Sequence, residues 1–266
     1  MAEGAFSTVA VAIDGHVGTI TLNRPDQLNA FTVEMVDECA DALAMLSGSA
    51  VIRCIVITGA GRAFCAGADV GTLKAILAAQ DERAGRRIVD GARRIHALIR
   101  GAPQPVIASL NGVAAGGGAN LALGCDLRIA ADTAKIGQVF AKLGLVPDWG
   151  GTFFLPRLVG AARALELFLG ADLVAAARLE ELGLVNRVVP AHALADATMA
   201  WARQIAAAPP AAVRRIKAAV YQSERASLEQ MLDWELEAQI ACFRTDDFRE
   251  GLAAFFEKRE PNFTGS

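Results

Sequence analysis

A twice-repeated pattern, in which an apolar strand leads into a glycine-rich loop and then a helix, constrains this chain more than any other feature. The first copy runs from the strand-like segment 52–58 through the loop 59–69 to a helix predicted at 82–99. The second runs from the strand-like segment 106–110 through three consecutive glycines at 116–118 into a short helix. Strands joined through helices are typically parallel neighbours in one sheet, so the repeat predicts an α/β fold.

The flanking segments extend this pattern in both directions. Two segments rich in β-branched residues surround the turn 14–16, which predicts an N-terminal hairpin. From about residue 163 onward the pattern is helical, apart from one extended segment at 184–189. A chain of 266 residues can therefore form one large α/β domain followed by a helical tail.

Composition and charge argue against several classes of function. The formal net charge of −3 gives no basic footprint for nucleic acid, and no apolar run is long enough to span a membrane. The five cysteines are dispersed and form no C-x-x-C pair, and the spacing of His, Cys, Asp and Glu predicts no metal site. The N-terminus lacks a basic segment followed by an apolar one, so we predict no secretory signal and expect a cytoplasmic protein.

The two glycine-rich loops predict a site that binds negative charge. Backbone N–H groups are exposed where three glycines open a helix, and a second small-residue loop follows the neighbouring strand. Two converging N–H donors are the minimum for an oxyanion hole. Taken alone, the loop at 59–69 is more typical of a plain strand-to-helix turn, and it is the second loop after the next strand that favours a binding site. A dinucleotide site is rejected because Phe64 occupies the third glycine position of the G-x-G-x-x-G pattern.

Acid–base groups are scarce around these loops. The positions that follow the glycines hold Asn120, Phe140 and Asp148, of which only Asp148 ionises. In isolation, Asp148 is typical of a turn aspartate, and Asn120 of a capping or packing residue. His96 falls on a helix that looks surface-exposed and has no partner suggestive of a catalytic triad.

Four segments together resemble the enoyl-CoA hydratase/isomerase (crotonase) superfamily, and the likeness covers nearly the whole chain. They are TLNRPDQLNA at 21–30, TGAGRAFCAGAD at 58–69, NGVAAGGGANL at 111–121 and FFEKR at 255–259. The resemblance implies an α/β crotonase (ClpP-like) fold with a repeated ββα spiral core. It implies that residues 1–195 form this core with an acyl-CoA site, and that residues 196–266 form a C-terminal helical trimerisation region. The expected assembly is a homotrimer or a dimer of trimers.

The resemblance also implies roles for individual residues. The N–H groups of Ala68 and Gly117 would form the oxyanion hole for the thioester of an acyl-CoA. Coenzyme A would enter as part of that substrate, with no tightly bound cofactor and no metal. The positions implied to bind substrate or CoA, with the last two reaching over from a neighbouring subunit, are Arg24, Gln27, Leu28, Arg62, Ala66, Ala68, Asp69, Gly117, Phe140, Phe255 and Lys258.

Two departures from the family pattern favour isomerisation over hydration. Hydratases of the family carry glutamates at the positions of Asn120 and Phe140, because adding water needs two proton-handling groups. Moving a double bond needs one base, and Asp148 is the available carboxylate. Segments 119–121, 144–151 and 155–160 resemble the branch of ring-epoxide isomerases of phenylacetyl-CoA breakdown, which is similar to the Δ3-Δ2 enoyl-CoA isomerases. Asp148 is then the predicted proton shuttle, with Asn120 as a polar orienting residue.

Several alternatives remain open from the sequence. Asp148 could activate water in a hydratase, or in another acyl-CoA hydrolase or lyase of the family. Its place also resembles that of the aspartate nucleophile of aryl-CoA dehalogenases, although Phe140 stands where those enzymes have a tryptophan. A third class of function is a non-catalytic acyl-CoA-binding subunit that has lost both glutamates.

Overall fold

Two β-sheets and the helices around them make up the computed structural model, which describes residues 6–266. The residues before Phe6, on which the prediction about a secretory signal partly rests, lie outside the described residues. The larger sheet has six strands in the order β1-β2-β3-β5-β7-β10, and the smaller has four in the order β4-β6-β8-β9. The strands are β1 Val9–Asp14, β2 Val17–Leu22, β3 Cys54–Gly59, β4 Ala63–Cys65, β5 Val106–Leu110, β6 Val113–Ala115, β7 Leu127–Ala131, β8 Lys135–Gly137, β9 Leu173–Ala175 and β10 Arg187–Val189.

Helices connect and cover the sheets. They are α1 Val33–Ser47, α2 Val70–Ala79, α3 Glu82–Gly101, α4 Gly117–Gly124, α5 Gly151–Val159, α6 Ala161–Gly170, α7 Ala176–Glu181, α8 Leu194–Ala206, α9 Pro210–Gln222, α10 Leu228–Phe243 and α11 Asp246–Glu257. Short 3₁₀ turns occur at Pro25–Gln27, Val139–Leu143 and Ala191–Ala193. None of the helices between residues 6 and 266 combines the length and the apolar character that crossing a membrane requires.

From β3 to β8, successive strands alternate between the two sheets. β3, β5 and β7 lie side by side and parallel in the larger sheet, and each is followed by a short strand, β4, β6 or β8, of the smaller sheet. A helix or a 3₁₀ turn then completes each unit. The loops after parallel strands meet at one edge of the sheet, so this ββα repeat brings the two glycine-rich segments together.

Most of the sequence-predicted elements are confirmed. Gly15 turns the β1–β2 hairpin with a φ of +57°, and the Thr32 side chain caps α1 by accepting a hydrogen bond from the N–H of Met35. The loop predicted at 59–69 contains the strand β4, and α2 and α5 were missed because their local patterns are weak. In α5, Pro156 lies inside the helix, against the usual preference.

The helical tail is fastened to the core by a buried charged group. The Nζ atom of Lys217, on α9, donates to the carbonyls of Ile99 at 2.6 Å and Gln104 at 2.9 Å, and it pairs with Asp126 at 2.7 Å. The hydroxyl of Tyr221 donates to the second oxygen of Asp126. Because the cation is buried but fully partnered, α9 is held in one position beside the sheet.

The boundary predicted at residue 195 falls at the start of α8. This helix packs against β2, β3, β5 and β7, and the hydroxyls of Thr198 and Ser109 lie 2.9 Å apart within the core. Trp201 and Ala202 are buried there. By packing, α8 thus belongs with the sheets, whereas α10 and α11 pack against their helical neighbours. The division into residues 1–195 and 196–266 stays a prediction.

Candidate active site

Two backbone segments, one from each glycine-rich loop, meet beside the N-terminus of α4. A Cβ on Gly67 would lie 2.8 Å from the carbonyl oxygen of Ala115 and 3.4 Å from the nitrogen of Gly117. The next residue after Gly67 is Ala68, and the N–H groups of Ala68 and Gly117 donate to no acceptor within the described residues. Two free donors therefore sit on adjacent segments, which is the arrangement that an oxyanion hole needs.

The glycines at the start of α4 are required by conformation and by contact. Gly116 has φ +53° and ψ −125°, a region that side chains disfavour. A Cβ on Gly118 would lie 2.3 Å from the carbonyl oxygen of Cys65, so α4 packs directly on β4. The three glycines therefore determine the position of the Gly117 N–H. Because they have no side chains, they also leave this N–H open to a ligand.

Asp148 belongs to a tight turn beside these donors. The two residues after it, Trp149 and Gly150, both have left-handed backbone angles, with φ of +47° and +74°. The Trp149 ring stacks on Phe31 with centroids 4.2 Å apart, and a Cβ on Gly117 would lie 3.4 Å from the same indole. The turn that carries Asp148 is thereby packed against the first residue of α4.

Asn120 holds this turn through its backbone. Its Nδ2 donates to the carbonyl oxygen of Asp148 at 2.8 Å, and its Oδ1 accepts a hydrogen bond from Nε2 of Gln138 at 2.7 Å. Asn120 is fully buried, and a Cβ on Gly151 would lie 2.4 Å from its amide. The predicted orienting residue thus contacts the main chain of Asp148. Gln138 was missed, and no local pattern in the sequence points to it.

The carboxyl group of Asp148 is poorly solvated. Its Oδ1 atom is buried and has no hydrogen-bond partner in the described part of the chain. Burial disfavours the charged form and raises the pKa of Asp148 to about 6. Such a carboxyl can accept a proton and return it near neutral pH.

We expect the Asp148→Asn variant to be more stable than the wild type at high pH. The folded-state pKa of about 6 lies above the reference of 3.8, so ionisation of Asp148 destabilises the fold progressively between these values and fully above pH 6. The variant should gain about 1–2 kcal/mol in unfolding free energy at pH 8, after allowance for solvent screening. Urea unfolding at pH 8 and pH 4 tests this. A gain of equal size at both pH values would contradict it.

Arg24 and Asp69 connect the first loop to the start of α2. The Arg24 guanidinium donates to the carbonyl of Ala30 at 2.6 Å and pairs with Asp69 at 3.3 Å. Asp69 caps α2 by accepting from the N–H of Thr72 at 2.9 Å. This bond, and then the Arg24 contact, keep the pKa of Asp69 below its ordinary value. In this structure Arg24 therefore supports the segment next to Ala68.

The other residues implied to bind CoA fall into two groups. Leu28 lies beside Ala66, whose N–H donates to the Leu28 carbonyl at 3.0 Å, while Gln27 and Arg62 are exposed nearby. Phe140 is buried, and a Cβ on the neighbouring Gly116 would lie 3.7 Å from its ring. All of these lie around the two loops.

Phe255 and Lys258 form the second group, at the far end of the chain. Phe255 is 76% exposed on α11 and lines an apolar groove with Phe248, Leu252 and Phe263. Lys258 ends the helix with a left-handed φ of +55°. No residue of the two glycine-rich loops lines this groove, so a role for this group at the substrate stays a prediction that needs a second subunit.

The prediction of a surface position for His96 is wrong. Its Nε2 lies 3.0 Å from the carbonyl oxygen of Trp149, directly beside Asp148. The buried face of α3 includes Ala92 and Ile99. His96 lies four residues after Ala92 and three before Ile99, and residues at these spacings share one face of a helix. The helical period could therefore have located His96 inside. No set of three or more His, Cys, Asp or Glu side chains between residues 6 and 266 is arranged to hold a metal.

The sequence profile described as "Enoyl-CoA hydratase/isomerase" matches residues 12–266. The chain belongs to the enoyl-CoA hydratase/isomerase family. This confirms the resemblance carried by the four sequence segments, and it makes the protein an enzyme of that family. Acyl-CoA substrates are consistent with it.

Curated relatives within the enoyl-CoA hydratase/isomerase family include proteins named as isomerases and proteins named as hydratases. The chain is 41% identical to the 1,2-epoxyphenylacetyl-CoA isomerase of Escherichia coli, over 95% of this chain and 97% of the relative. It is 35% identical to the crotonyl-CoA hydratase of Syntrophomonas wolfei, over 97% and 98%. It is 32% identical to the trans-2-decenoyl-[acyl-carrier-protein] isomerase of Streptococcus mutans, over 98% and 99%.

Solved structures of the enoyl-CoA hydratase/isomerase family confirm the fold. The enoyl-CoA hydratase of Bacillus anthracis superposes with a TM-score of 0.92 at 38% identity, over 98% of this chain and all of that one. That of Geobacillus kaustophilus gives 0.90 at 38% identity, over 98% and 99%. The predicted crotonase fold is confirmed, since both sheets and the helical tail fall within the matched length.

Proposed function

We propose that this protein is an acyl-CoA isomerase that shifts a double bond, or opens a ring epoxide, through a thioester enolate. The observation that carries the proposal is a single poorly solvated carboxyl, Asp148, beside the free N–H groups of Ala68 and Gly117. At the two positions where the family's hydratases hold glutamates, this chain has Asn120 and Phe140. The amide of Asn120 donates its hydrogen bond to the backbone carbonyl of Asp148. One proton-handling group is sufficient for isomerisation.

The chemistry follows from these groups. With a 3-enoyl thioester, Asp148 removes a proton from the α-carbon, and the electron pair moves to the thioester oxygen. The N–H groups of Ala68 and Gly117 stabilise the resulting enolate, each by about 3 kcal/mol. The protonated Asp148 then returns its proton to the γ-carbon as the double bond forms between the α- and β-carbons. The raised pKa of Asp148 suits both steps, because one group serves as base and then as acid.

The proposed substrate carries a CoA thioester and an unsaturated or ring-epoxide acyl group. Similarity to the E. coli epoxyphenylacetyl-CoA isomerase supports the ring-epoxide class, and similarity to the S. mutans isomerase supports linear chains. No tightly bound cofactor or metal is part of the proposal. A homotrimer or a dimer of trimers is proposed, in which Phe255 and Lys258 of one subunit reach the CoA bound by its neighbour.

The direct test compares isomerisation with hydration by the wild-type protein. We expect a 3-enoyl-CoA to be conjugated rapidly, with a rise in conjugated-thioester absorbance, and a 2-enoyl-CoA to be hydrated poorly. A ring epoxide of an aryl-acetyl-CoA is assayed in parallel by product analysis. Efficient hydration would instead support a hydratase in which Asp148 activates water. Tight acyl-CoA binding without turnover of any substrate would support a non-catalytic binding subunit.

A further inference from the structure

We propose that His96 is a positioning residue that holds the turn carrying Asp148, by donating a hydrogen bond from Nε2 to the carbonyl oxygen of Trp149. The proposal rests on the proposed role of Asp148 and deepens it. His96 lies on α3, outside the glycine-rich loops, and its Nε2 is 3.0 Å from this carbonyl. It touches no atom of the reacting groups in this account, so its effect passes through the backbone of the turn.

The position of the imidazole is fixed by close packing. A Cβ on Gly124 would lie 2.2 Å from Cε1 of His96, so the last residue of α4 leaves room for the ring only because it is glycine. The Phe154 ring packs on another side at 5.0 Å between centroids, and the Trp149 ring lies edge-on at 6.3 Å. The ring therefore has little freedom to turn away from the Trp149 carbonyl.

The hydrogen-bonding pattern identifies the form of the imidazole. A carbonyl can only accept, so Nε2 must carry the proton. Burial, followed by the nearby charge of Arg100, lowers the pKa of His96 to about 4, and the ring is neutral around pH 7. Nδ1 is then a buried acceptor, and none of the described residues donates to it. An apolar side chain at this position would leave no buried polar atom without a partner. What histidine offers over an apolar residue here is therefore the hydrogen bond from Nε2.

The turn needs this bond because its backbone conformation is unusual. Trp149, which has a side chain, and Gly150 both take left-handed angles in succession. Two consecutive carbonyls of the turn are each held by one buried side chain, that of Asp148 by Asn120 at 2.8 Å and that of Trp149 by His96. Loss of the second bond leaves the Trp149 carbonyl without a donor among the described residues, so the Trp149–Gly150 peptide is held only through its neighbours. The Asp148 carboxyl can then move from its poorly solvated position towards water.

The charged groups around His96 allow this effect to be isolated. Arg100, one turn further along α3, lies over the rings of Phe154 and Tyr221 and pairs with Glu224 at 2.7 Å. Asp148 is the ionisable group on the turn itself. Because the pKa of His96 is lowered to about 4, the imidazole is neutral at pH 6, where wild-type Asp148 titrates, and replacing it changes no charge near Asp148 at that pH. A change in the titration of Asp148 would therefore report geometry and solvation.

The test uses three substitutions in the full-length protein. His96→Leu removes the donor. His96→Asn keeps an amide but places it at the position of Nδ1, too short to reach the carbonyl. His96→Gln is the matched control, since its Nε2 reaches the position of the imidazole Nε2. The titration of Asp148 is followed by carbon NMR of the carboxyl in protein without substrate, and Asp148→Asn assigns the signal. Far-UV circular dichroism shows which variants fold.

We expect an Asp148 pKa near 6 in the wild type and in His96→Gln, and a fall towards 3.8 in His96→Leu and His96→Asn. If His96→Leu does not fold, the comparison of His96→Asn with His96→Gln tests the proposal.

In the isomerase assay, the two disruptive variants should lose at least about tenfold in kcat with KM little changed, whereas His96→Gln should keep a kcat close to that of the wild type. An Asp148 pKa that stays near 6 in the folded Asn or Leu variant would overturn the proposal. If the Asp148 pKa falls in the disruptive variants as expected but the wild-type protein isomerises no substrate, the positioning role stands and only the proposed function is refuted.

Discussion

Replacement of Asp148 by asparagine is expected to lower kcat for conjugation of a 3-enoyl-CoA by about 10²- to 10⁴-fold. The amide has nearly the shape of the carboxyl but cannot accept the α-proton. The backbone carbonyl that Asn120 holds is unchanged, so the turn keeps its conformation. The dissociation constant for a saturated acyl-CoA should stay within about threefold of the wild type, because the free N–H groups of Ala68 and Gly117 are untouched.

A matched control is available two helices further along the chain. Asp172 is an exposed aspartate that pairs with Lys142 at 2.8 Å, and Asp172→Asn should leave both kcat and KM unchanged. Stopped-flow absorbance gives the rates, and isothermal titration with the saturated acyl-CoA gives the affinities. If Asp148→Asn kept more than half of the wild-type kcat, Asp148 could not be the proton shuttle.

Removal of the Gly117 N–H should have the second largest effect. Gly117 is the first residue of α4, where proline is well tolerated, and its N–H has no acceptor within the described residues. The Gly117→Pro variant should therefore fold while lacking one of the two proposed oxyanion donors. We expect kcat for conjugation to fall by about 10²- to 10³-fold.

The control for this variant is Gly117→Ala. It adds the same Cβ, which would meet the Trp149 ring at an ordinary 3.4 Å, but it keeps the N–H. Its kcat should remain within about fivefold of the wild type, which is a loss smaller than that from removing a donor. Circular dichroism and thermal unfolding of both variants establish that they fold. Equal losses in the two variants would attribute the effect to crowding, and the oxyanion role of this N–H would then be wrong.

Those features of the fold that local pattern encodes could be predicted from the sequence. The hairpin at Gly15, the cap at Thr32 and the parallel strands β3 and β5 each follow from short-range signals, and all are present. The short strands of the smaller sheet were not predicted from local pattern. Strands such as β4 and β8 contain three residues each, and their pairing depends on partners elsewhere in the chain.

At the candidate site, too, the contacts that could not be predicted are those between residues distant in the sequence. The sequence placed Asp148 and Asn120 near the triple glycine, and the structure brings them together. It did not reveal that Asn120 is oriented by Gln138, or that His96 bonds the turn from a separate helix. Such contacts join residues that are 18 and 53 positions apart, and a pattern read along the chain contains no distance across the fold.

The pH dependence of kcat/KM for double-bond migration tests the central claim most directly. It should be measured between pH 4.5 and 9 with the 3-enoyl thioester of pantetheine, which lacks the titrating phosphate of CoA. A single carboxylate predicts one ascending limb with its midpoint near pH 6, where Asp148 ionises, and a plateau above it. A bell-shaped profile would reveal a second essential titrating group, and an ascending limb retained in Asp148→Asn would assign the ionisation to another residue. Either result would contradict the single-carboxylate mechanism.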